Sequence, residues 1–354
     1  MSILLFITGL LFLIFGAELL VKGASRIALS LKISPLVIGL TVVAFGTSAP
    51  ELAVSINSSL TGQQSITIGN VVGSNIFNIL FILGISALIL PLTASKQLLR
   101  LDVPVMIILS LLVLLLSVNG SLNRIEGILL AAGLVTYTTF LIMKSRREWV
   151  QASADSESAQ SKFNNPVINS LLVVMGLGLL ILGSKWFLDG AISIAQALGL
   201  SELIIGLTIV AAGTSMPEVV TSVLAALRSE RDIAVGNVVG SNIFNVLGVL
   251  GISAIIAPSG LEISESFIRF DIPVMIAVAL ACLPVFFTGG VISRGEGVLL
   301  LGYYIAYTLF LILASSHHHS LPAFSSVMLW FVIPITFIVL LIISAQQLKQ
   351  RNTA

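Results

Sequence analysis

Two acidic side chains lie deep inside long apolar segments of this sequence. Glu51 falls within residues 34–60 and Glu218 within residues 202–227. A carboxylate in hydrocarbon is costly unless it is hydrated, paired or bound to a cation. Neither motif contains a Lys or Arg. The two acids therefore predict one cation site of formal charge about −2. The alternative is a pair of protonated structural acids bonded to backbone.

Each acid follows a helix-breaking motif, Gly-Thr-Ser-x-Pro-Glu. Proline lacks an N–H and clashes with the carbonyl four residues back, so carbonyls near the break are expected to lose helical partners. Broken helices at membrane depth line cavities inside the protein. A proline kink used only for packing is the alternative. The predicted oxygen ligands are the hydroxyls of Thr47, Ser48, Thr214 and Ser215 and the carbonyls around Ala44 and Ala211.

The apolar segment after each acid carries the motif Gly-Asn-Val-Val-Gly-Ser-Asn-Ile-Phe-Asn. In each copy a serine precedes an asparagine by four residues, which places both on one helix face. These four side chains are predicted as further ligands: Ser74, Asn78, Ser241 and Asn245. The other asparagines of the motif are expected to join helices rather than bind the ion: Asn70, Asn75, Asn237 and Asn242.

Every candidate ligand is an oxygen, which favours Ca²⁺, Na⁺, Mg²⁺ or Mn²⁺ over metals that prefer histidine or cysteine. Ca²⁺ accepts six to eight flexible ligands, including carbonyls, whereas Mg²⁺ retains water and needs octahedral geometry. Ca²⁺ is therefore the preferred cation. Two Na⁺ ions would neutralise the same two carboxylates, and competition between the two ions is what an antiporter requires.

Both motifs occur twice, at a constant offset of 167 residues. Residues 39–56 match residues 206–223 at 11 of 18 positions, and residues 66–78 match 233–245 at 11 of 13. Five predicted spans fill one offset. Because five is odd, the second copy crosses the membrane in the opposite sense, which predicts an inverted-topology repeat with its site between the halves.

The amino-acid composition indicates whether water or lipid surrounds the protein. Of 354 residues, 57% are hydrophobic and 9% charged, and the mean hydropathy is +1.11. Too few charges remain to cover a water-exposed surface, which excludes a soluble or disordered chain. The net charge of +1 gives no indication of nucleic-acid binding. The sequence predicts an all-α polytopic membrane protein in a lipid bilayer, with eleven spans near residues 3–22, 34–60, 66–90, 102–118, 125–143, 167–185, 202–227, 233–257, 271–288, 296–315 and 324–346.

These spans define the predicted domains. The first repeat covers residues 1–143, a cytoplasmic linker covers 144–166, and the second repeat covers 167–315. The segment 324–346 is an additional C-terminal transmembrane helix. His317, His318 and His319, before it, are interpreted as a solvated loop.

Charge placement predicts the orientation. With the N-terminus outside, 14 of the 17 Lys and Arg residues fall on the inner side and three on the outer side. Positive residues concentrate in cytoplasmic loops, so we expect an outer N-terminus and a cytoplasmic C-terminus.

At the two repeated motifs the chain resembles the cation/Ca²⁺ exchanger superfamily, in its prokaryotic sodium/calcium exchanger branch. The resemblance covers residues 1–315. It implies ten spans in two inverted halves, a prokaryotic plasma (inner) membrane and Na⁺-driven Ca²⁺ antiport, with the first and sixth spans sliding past a rigid core.

The resemblance also implies roles for individual residues. Glu51 and Glu218 would coordinate Ca²⁺, helped by Thr47 and Thr214. Asn78 and Asn245 would line the centre, and an acid stands at position 245 in some relatives, including potassium-dependent ones. Asn245 therefore argues against K⁺ coupling. The implied Na⁺ positions are Ser48, Ser74, Ser215 and Ser241 with the carbonyls of Ala44 and Ala211.

Three other functions remain open. Glu51 and Glu218 can themselves take protons, so H⁺/Ca²⁺ exchange, or exchange of another divalent cation, is the nearest alternative. A passive cation channel is the second. An intramembrane enzyme using Ser48 or Ser215 is the third, although no His or Lys base accompanies either serine. We expect a transporter without a cofactor, and the sequence does not identify its protein partners.

Overall fold

A computed structural model describes residues 2–153, 165–199, 205, 209, 211–287, 290–316, 318–336 and 338. The described part is almost wholly helical. Its helices are α1 (Ser2–Leu31), α2 (Pro35–Thr47), α3 (Ala49–Leu60), α4 (Gln64–Ile89), α5 (Leu98–Ser117), α6 (Arg124–Ser153), α7 (Pro166–Ala197), α8 (Ala211–Thr214), α9 (Met216–Leu227), α10 (Arg231–Ile256), α11 (Phe267–Pro284), α12 (Arg294–Ser315) and α13 (Leu321–Thr336). Four two-residue strands connect some of them: β1 (Leu92–Thr93), β2 (Ser121–Leu122), β3 (Leu261–Glu262) and β4 (Val291–Ile292).

Eight of these helices are long and apolar enough to cross a membrane. A ninth span is the pair α2 and α3, which meet at a 45° bend. The prediction of a polytopic all-α membrane protein is thus confirmed. The seventh predicted span, 202–227, and the eleventh, 324–346, lie partly outside the described residues, whose helices there are α9 and α13.

Helices α1 and α7 reveal the relation between the two halves. They pack along glycines that recur every seven residues, at Gly9, Gly16 and Gly23 in α1, each 167 residues before Gly176, Gly183 and Gly190 in α7. Gly9 faces the backbone of Gly183, and Gly16 faces that of Gly176. Equivalent helices therefore run antiparallel, which confirms the inverted topology.

The helices that carry the repeated asparagine motif form the centre of the molecule. Within their apolar spans, 83% of residues in α10 and 72% in α4 are buried, against 11% in α12. Part of this burial comes from the close approach of α10 and α2 at Gly240. A Cβ on Gly240 would lie 2.7 Å from the backbone of Leu40. The residues predicted to hold a cation therefore lie where protein replaces lipid.

Two short ribbons tie the halves together. Strand β1 pairs antiparallel with β4, and β2 pairs antiparallel with β3. Each ribbon joins one strand from the first half to one from the second, and the two ribbons are equivalent under the repeat.

Two features of the structure were not predicted from the sequence. Helix α6 continues to Ser153, so the first ten residues of the predicted linker are helical. Glu18 has Lys22 four residues later in the sequence but pairs with Arg228 at 2.7 Å. His317 lies outside the described residues, and the rings of His318 and His319 are 4.3 Å apart.

The glycine contact between α1 and α7 gives a prediction about stability. Gly183→Leu should lower the free energy of unfolding of the purified protein by about 1–3 kcal/mol or more. The reason is that the new side chain meets backbone atoms rather than a side chain that can move aside. A Cβ at Gly183 would lie 2.8 Å from the Leu13 nitrogen. Thermal unfolding in detergent measures the effect.

Gly178→Leu is the matched control, because it lies on the same helix with nothing within 4 Å of its Cβ position. Equal destabilisation by both variants would contradict the importance of the contact.

Candidate functional site

The predicted helix breaks occur at two equivalent serines. Ser48, between α2 and α3, has φ −81° and ψ 9°, and Ser215, between α8 and α9, has φ −88° and ψ 12°. Both values lie in the sparsely populated region between helix and strand. Pro50 and Pro217 then fall in the first turn of the next helix, where a missing N–H is tolerated.

The predicted loss of backbone partners is wrong for Ala44. Its carbonyl accepts the Ser48 N–H at 3.0 Å, because the helix persists through Thr47 before it bends. Pro50 has no N–H to donate to the carbonyl four residues back, so the expected loss of a helical partner falls on Gly46, two residues after Ala44. Ala211 is the first residue of α8.

Each glutamate lies in the first turn of the helix that follows the break. The partial positive charge of a helix N-terminus favours a carboxylate there. Glu51 and Glu218 are each only 1% exposed. Both carboxylates are therefore held inside the protein, away from lipid and solvent.

Hydrogen bonds cross between the halves at these carboxylates. The Ser48 hydroxyl donates to Glu218 Oε1 at 2.9 Å, and the Ser215 hydroxyl donates to Glu51 Oε1 at 2.6 Å. Ser215 also lies 3.3 Å from the Ser74 hydroxyl. A glutamate of each half thus shares one small cluster with the serine of the other, as the repeat predicted.

Several oxygens of the predicted ligands have no protein partner. Glu51 Oε2 and Glu218 Oε2 are buried and unpartnered, and so are the Ser241 hydroxyl and the Asn245 carbonyl oxygen. Both polar atoms of Asn78 are in the same condition. Buried polar atoms are nearly always satisfied, so the unpartnered oxygens of these predicted ligands are available to a dehydrated cation.

Amide side chains of the repeated motif hold the backbone of each break. Asn70 donates to the Glu51 carbonyl at 2.9 Å and to the Ser55 hydroxyl at 2.8 Å. Asn237 donates to the Ser222 hydroxyl at 2.9 Å and lies 3.5 Å from the Glu218 carbonyl. The prediction that Asn70 and Asn237 join helices is confirmed.

The remaining candidate ligands lie in the same interior. Thr47 is fully buried and donates to the Asn237 side-chain oxygen at 3.0 Å, and Thr214 is 8% exposed. Asn78 and Asn245 each begin a π-helical turn in the middle of a long helix. Such turns widen a helix locally and are frequent at functional sites.

The sequence interpretation missed two residues. Ser55 and Ser222, one turn after each glutamate, accept the amides that hold the breaks. Both recur at the offset of 167 residues, so the repeat itself contained the signal that identifies them.

A further buried acid, Asp102, lies outside the repeated motifs. Asp102 is fully buried and accepts the Tyr137 hydroxyl at 2.9 Å. Asp271 accepts the Tyr307 hydroxyl at 3.0 Å in the equivalent arrangement of the second half. These pairs connect α5 to α6 and α11 to α12, so the two aspartates secure packing between spans.

The donor set limits the chemistry of the cluster. Among the described residues, no three His, Cys, Asp or Glu side chains form a group that could hold a metal ion. A cation here must therefore complete its coordination with neutral hydroxyl and carbonyl oxygens, which suits Ca²⁺ and Na⁺.

Comparisons with known proteins agree with this architecture. The family model described as "Sodium/calcium exchanger protein" matches residues 1–143 and 168–313. Putative antiporter CaxA from Alkalimonas amylolytica is 38% identical over 311 residues, covering 85% of this chain and 95% of that protein. Sodium/calcium exchanger MaX1 from Methanosarcina acetivorans is 34% identical over 344 residues, covering 86% and 97%.

A solved structure shares the fold. The sodium-calcium exchanger NCX_Mj superimposes with a TM-score of 0.74 at 31% identity, covering 86% of this chain and 96% of that one. Because the family model spans both inverted halves and the relatives match along nearly their whole length, the chain belongs to the sodium/calcium exchanger protein family and is a multi-pass membrane antiporter rather than an enzyme.

Proposed function

We propose that this protein exchanges Na⁺ for Ca²⁺ by alternating access at the cluster around Glu51 and Glu218. The observation that carries the proposal is the pair of carboxylates, each buried and hydrogen-bonded to a serine of the opposite half. One Ca²⁺ or two Na⁺ neutralise two carboxylates equally well. Each ion therefore displaces the other, which couples their movement.

The cluster supplies ligands for both ions. Ca²⁺ is held by the carboxylates of Glu51 and Glu218 with the Thr47 and Thr214 hydroxyls, and Asn78 and Asn245 line the centre. Na⁺ needs fewer ligands, and the neutral oxygens around the carboxylates are suited to it. Those neutral oxygens are the hydroxyls of Ser48, Ser74, Ser215 and Ser241 and the carbonyls of Ala44 and Ala211.

The inverted repeat accounts for exchange of access. Each half can take the conformation of the other, which opens the central cluster to the opposite side. The distribution of Lys and Arg supports an outer N-terminus and a cytoplasmic C-terminus in a prokaryotic plasma membrane. Asn245 leaves the centre without a third acid, and this supports exchange independent of K⁺.

Coupling to Na⁺ is tested directly by ion flux. Purified protein in proteoliposomes should take up radiolabelled Ca²⁺ when Na⁺ is loaded inside and diluted outside, with pH clamped on both sides. Uptake should stop when choline replaces internal Na⁺. Uptake that ignores Na⁺ but follows an imposed pH gradient would establish H⁺/Ca²⁺ exchange instead, and flux without any counter-ion would indicate a channel.

The two glutamates are tested by neutralisation. Glu51→Gln and Glu218→Gln should each reduce Ca²⁺ exchange by more than about tenfold, since removing one partner of a buried charge interaction costs about 3–5 kcal/mol. The same flux assay measures the effect.

Glu265→Gln is the matched control, because Glu265 is exposed and pairs with Arg269 away from the cluster. Full exchange in both of the buried variants would remove these glutamates from the ion site.

A further inference from the structure

Four buried asparagines at the centre are related by the repeat, yet they form unequal hydrogen bonds. Asn75 and Asn78 lie on α4, and Asn242 and Asn245 are their equivalents on α10. Each is no more than 2% exposed. Identical sequences would allow identical bonds, so the difference between the two halves is a property of the assembled structure.

The orientation of the Asn75 amide is fixed by its neighbours. Its nitrogen lies 3.3 Å from the backbone carbonyl of Asn242 and 3.6 Å from the Met275 sulfur. A carbonyl oxygen only accepts hydrogen bonds, so the NH₂ group of Asn75 must face it. The side-chain oxygen of Asn75 then points the other way.

This orientation determines the next amide. The Asn75 oxygen lies 3.1 Å from the nitrogen of Asn245, and because an amide oxygen only accepts, Asn245 must donate. The nitrogen of Asn245 is thereby used, and its oxygen remains buried without a partner. Asn245 follows Ser241 by four residues and therefore lies on the same helix face as the unpartnered Ser241 hydroxyl.

We infer that Asn75 is a positioning residue that turns the side-chain oxygen of Asn245, rather than its NH₂ group, toward the bound cation. The inference rests on the proposed function, because it takes the central cluster as the Ca²⁺ site. Without the hydrogen bond to Asn75, the Asn245 amide can rotate and turn its NH₂ group toward the cation. The partial positive charge of the NH₂ hydrogens is repelled by a cation. Partners that orient a metal ligand typically contribute 10–100-fold in affinity.

The equivalent amide in the second half does not have this role. Asn242 donates to the Val238 carbonyl of its own helix at 2.8 Å, and Asn78 has no partner at either polar atom. Asn245 is consequently a pre-oriented ligand, whereas Asn78 is free to rotate as the ions change. Asn75 and Asn242 thus provide a matched pair for experiment.

The first test is equilibrium binding of radiolabelled Ca²⁺ to the purified full-length protein, with Na⁺ absent. Asn75→Leu, which keeps the branching at Cγ but has no polar atom, should raise the dissociation constant roughly tenfold. Asn242→Leu should change it less than about twofold, because its lost bond is local. Equal weakening by both variants, or none by Asn75→Leu, would overturn the inference.

A second background separates positioning from packing. A carboxyl group has an oxygen on both sides, so Asn245→Asp presents an oxygen whichever way it turns. In that background, adding Asn75→Leu should change Ca²⁺ affinity less than about twofold. A persistent tenfold loss would mean that Asn75 acts through packing, and the inference would fail.

Two further outcomes are informative. Asn75→Ser is too short to bridge Asn242 and Asn245 and should weaken binding as Asn75→Leu does. If neither variant folds, Asn75 is a packing residue and the inference fails. If the wild type binds Ca²⁺ but shows no Na⁺-driven flux, the proposed Na⁺/Ca²⁺ exchange is wrong. The comparison of Ca²⁺ binding between the variants still tests the positioning role of Asn75.

Discussion

Placing two carboxylates inside a membrane protein is the constraint on which the structure depends. Glu51 and Glu218 are each 1% exposed, so neither water nor lipid headgroups can solvate them. The protein supplies partial compensation through a helix N-terminus and a serine hydroxyl at each acid. One oxygen of each carboxylate is left without a protein partner, and in the proposed function a bound cation supplies the remaining compensation.

The inverted repeat lets each half stabilise the acid of the other. Ser48 serves Glu218, and Ser215 serves Glu51, so neither half forms a complete site alone. The glycine contacts between α1 and α7 and the two ribbons bring the halves into register. A site shared in this way changes whenever the halves move relative to one another, which is what alternating access demands.

The sequence predicted the parts that depend on local pattern. Hydropathy predicted the spans, and the glycine and proline of the repeated motif predicted the helix breaks, because both signals depend only on neighbouring residues. Partners distant in sequence were less accessible. Asp102 stands at the edge of an apolar run, and only the packing of α5 against α6 brings Tyr137 to it. Glu18 has a suitable cation four residues away, yet the fold offers Arg228 instead.

The sequence by itself determined that the chain crosses the membrane, that its two halves are inverted copies, and that each places one acid beside serine and threonine hydroxyls in an apolar segment. These conclusions follow from composition, repeat and the odd number of spans. Only the tertiary structure decided how the copies differ. Asn75 and Asn242 meet where the two halves face each other, and a single nitrogen-to-carbonyl bond between them runs in one direction. Contact between equivalent residues therefore breaks the symmetry that the sequence implies, and one central amide is held while the other is not.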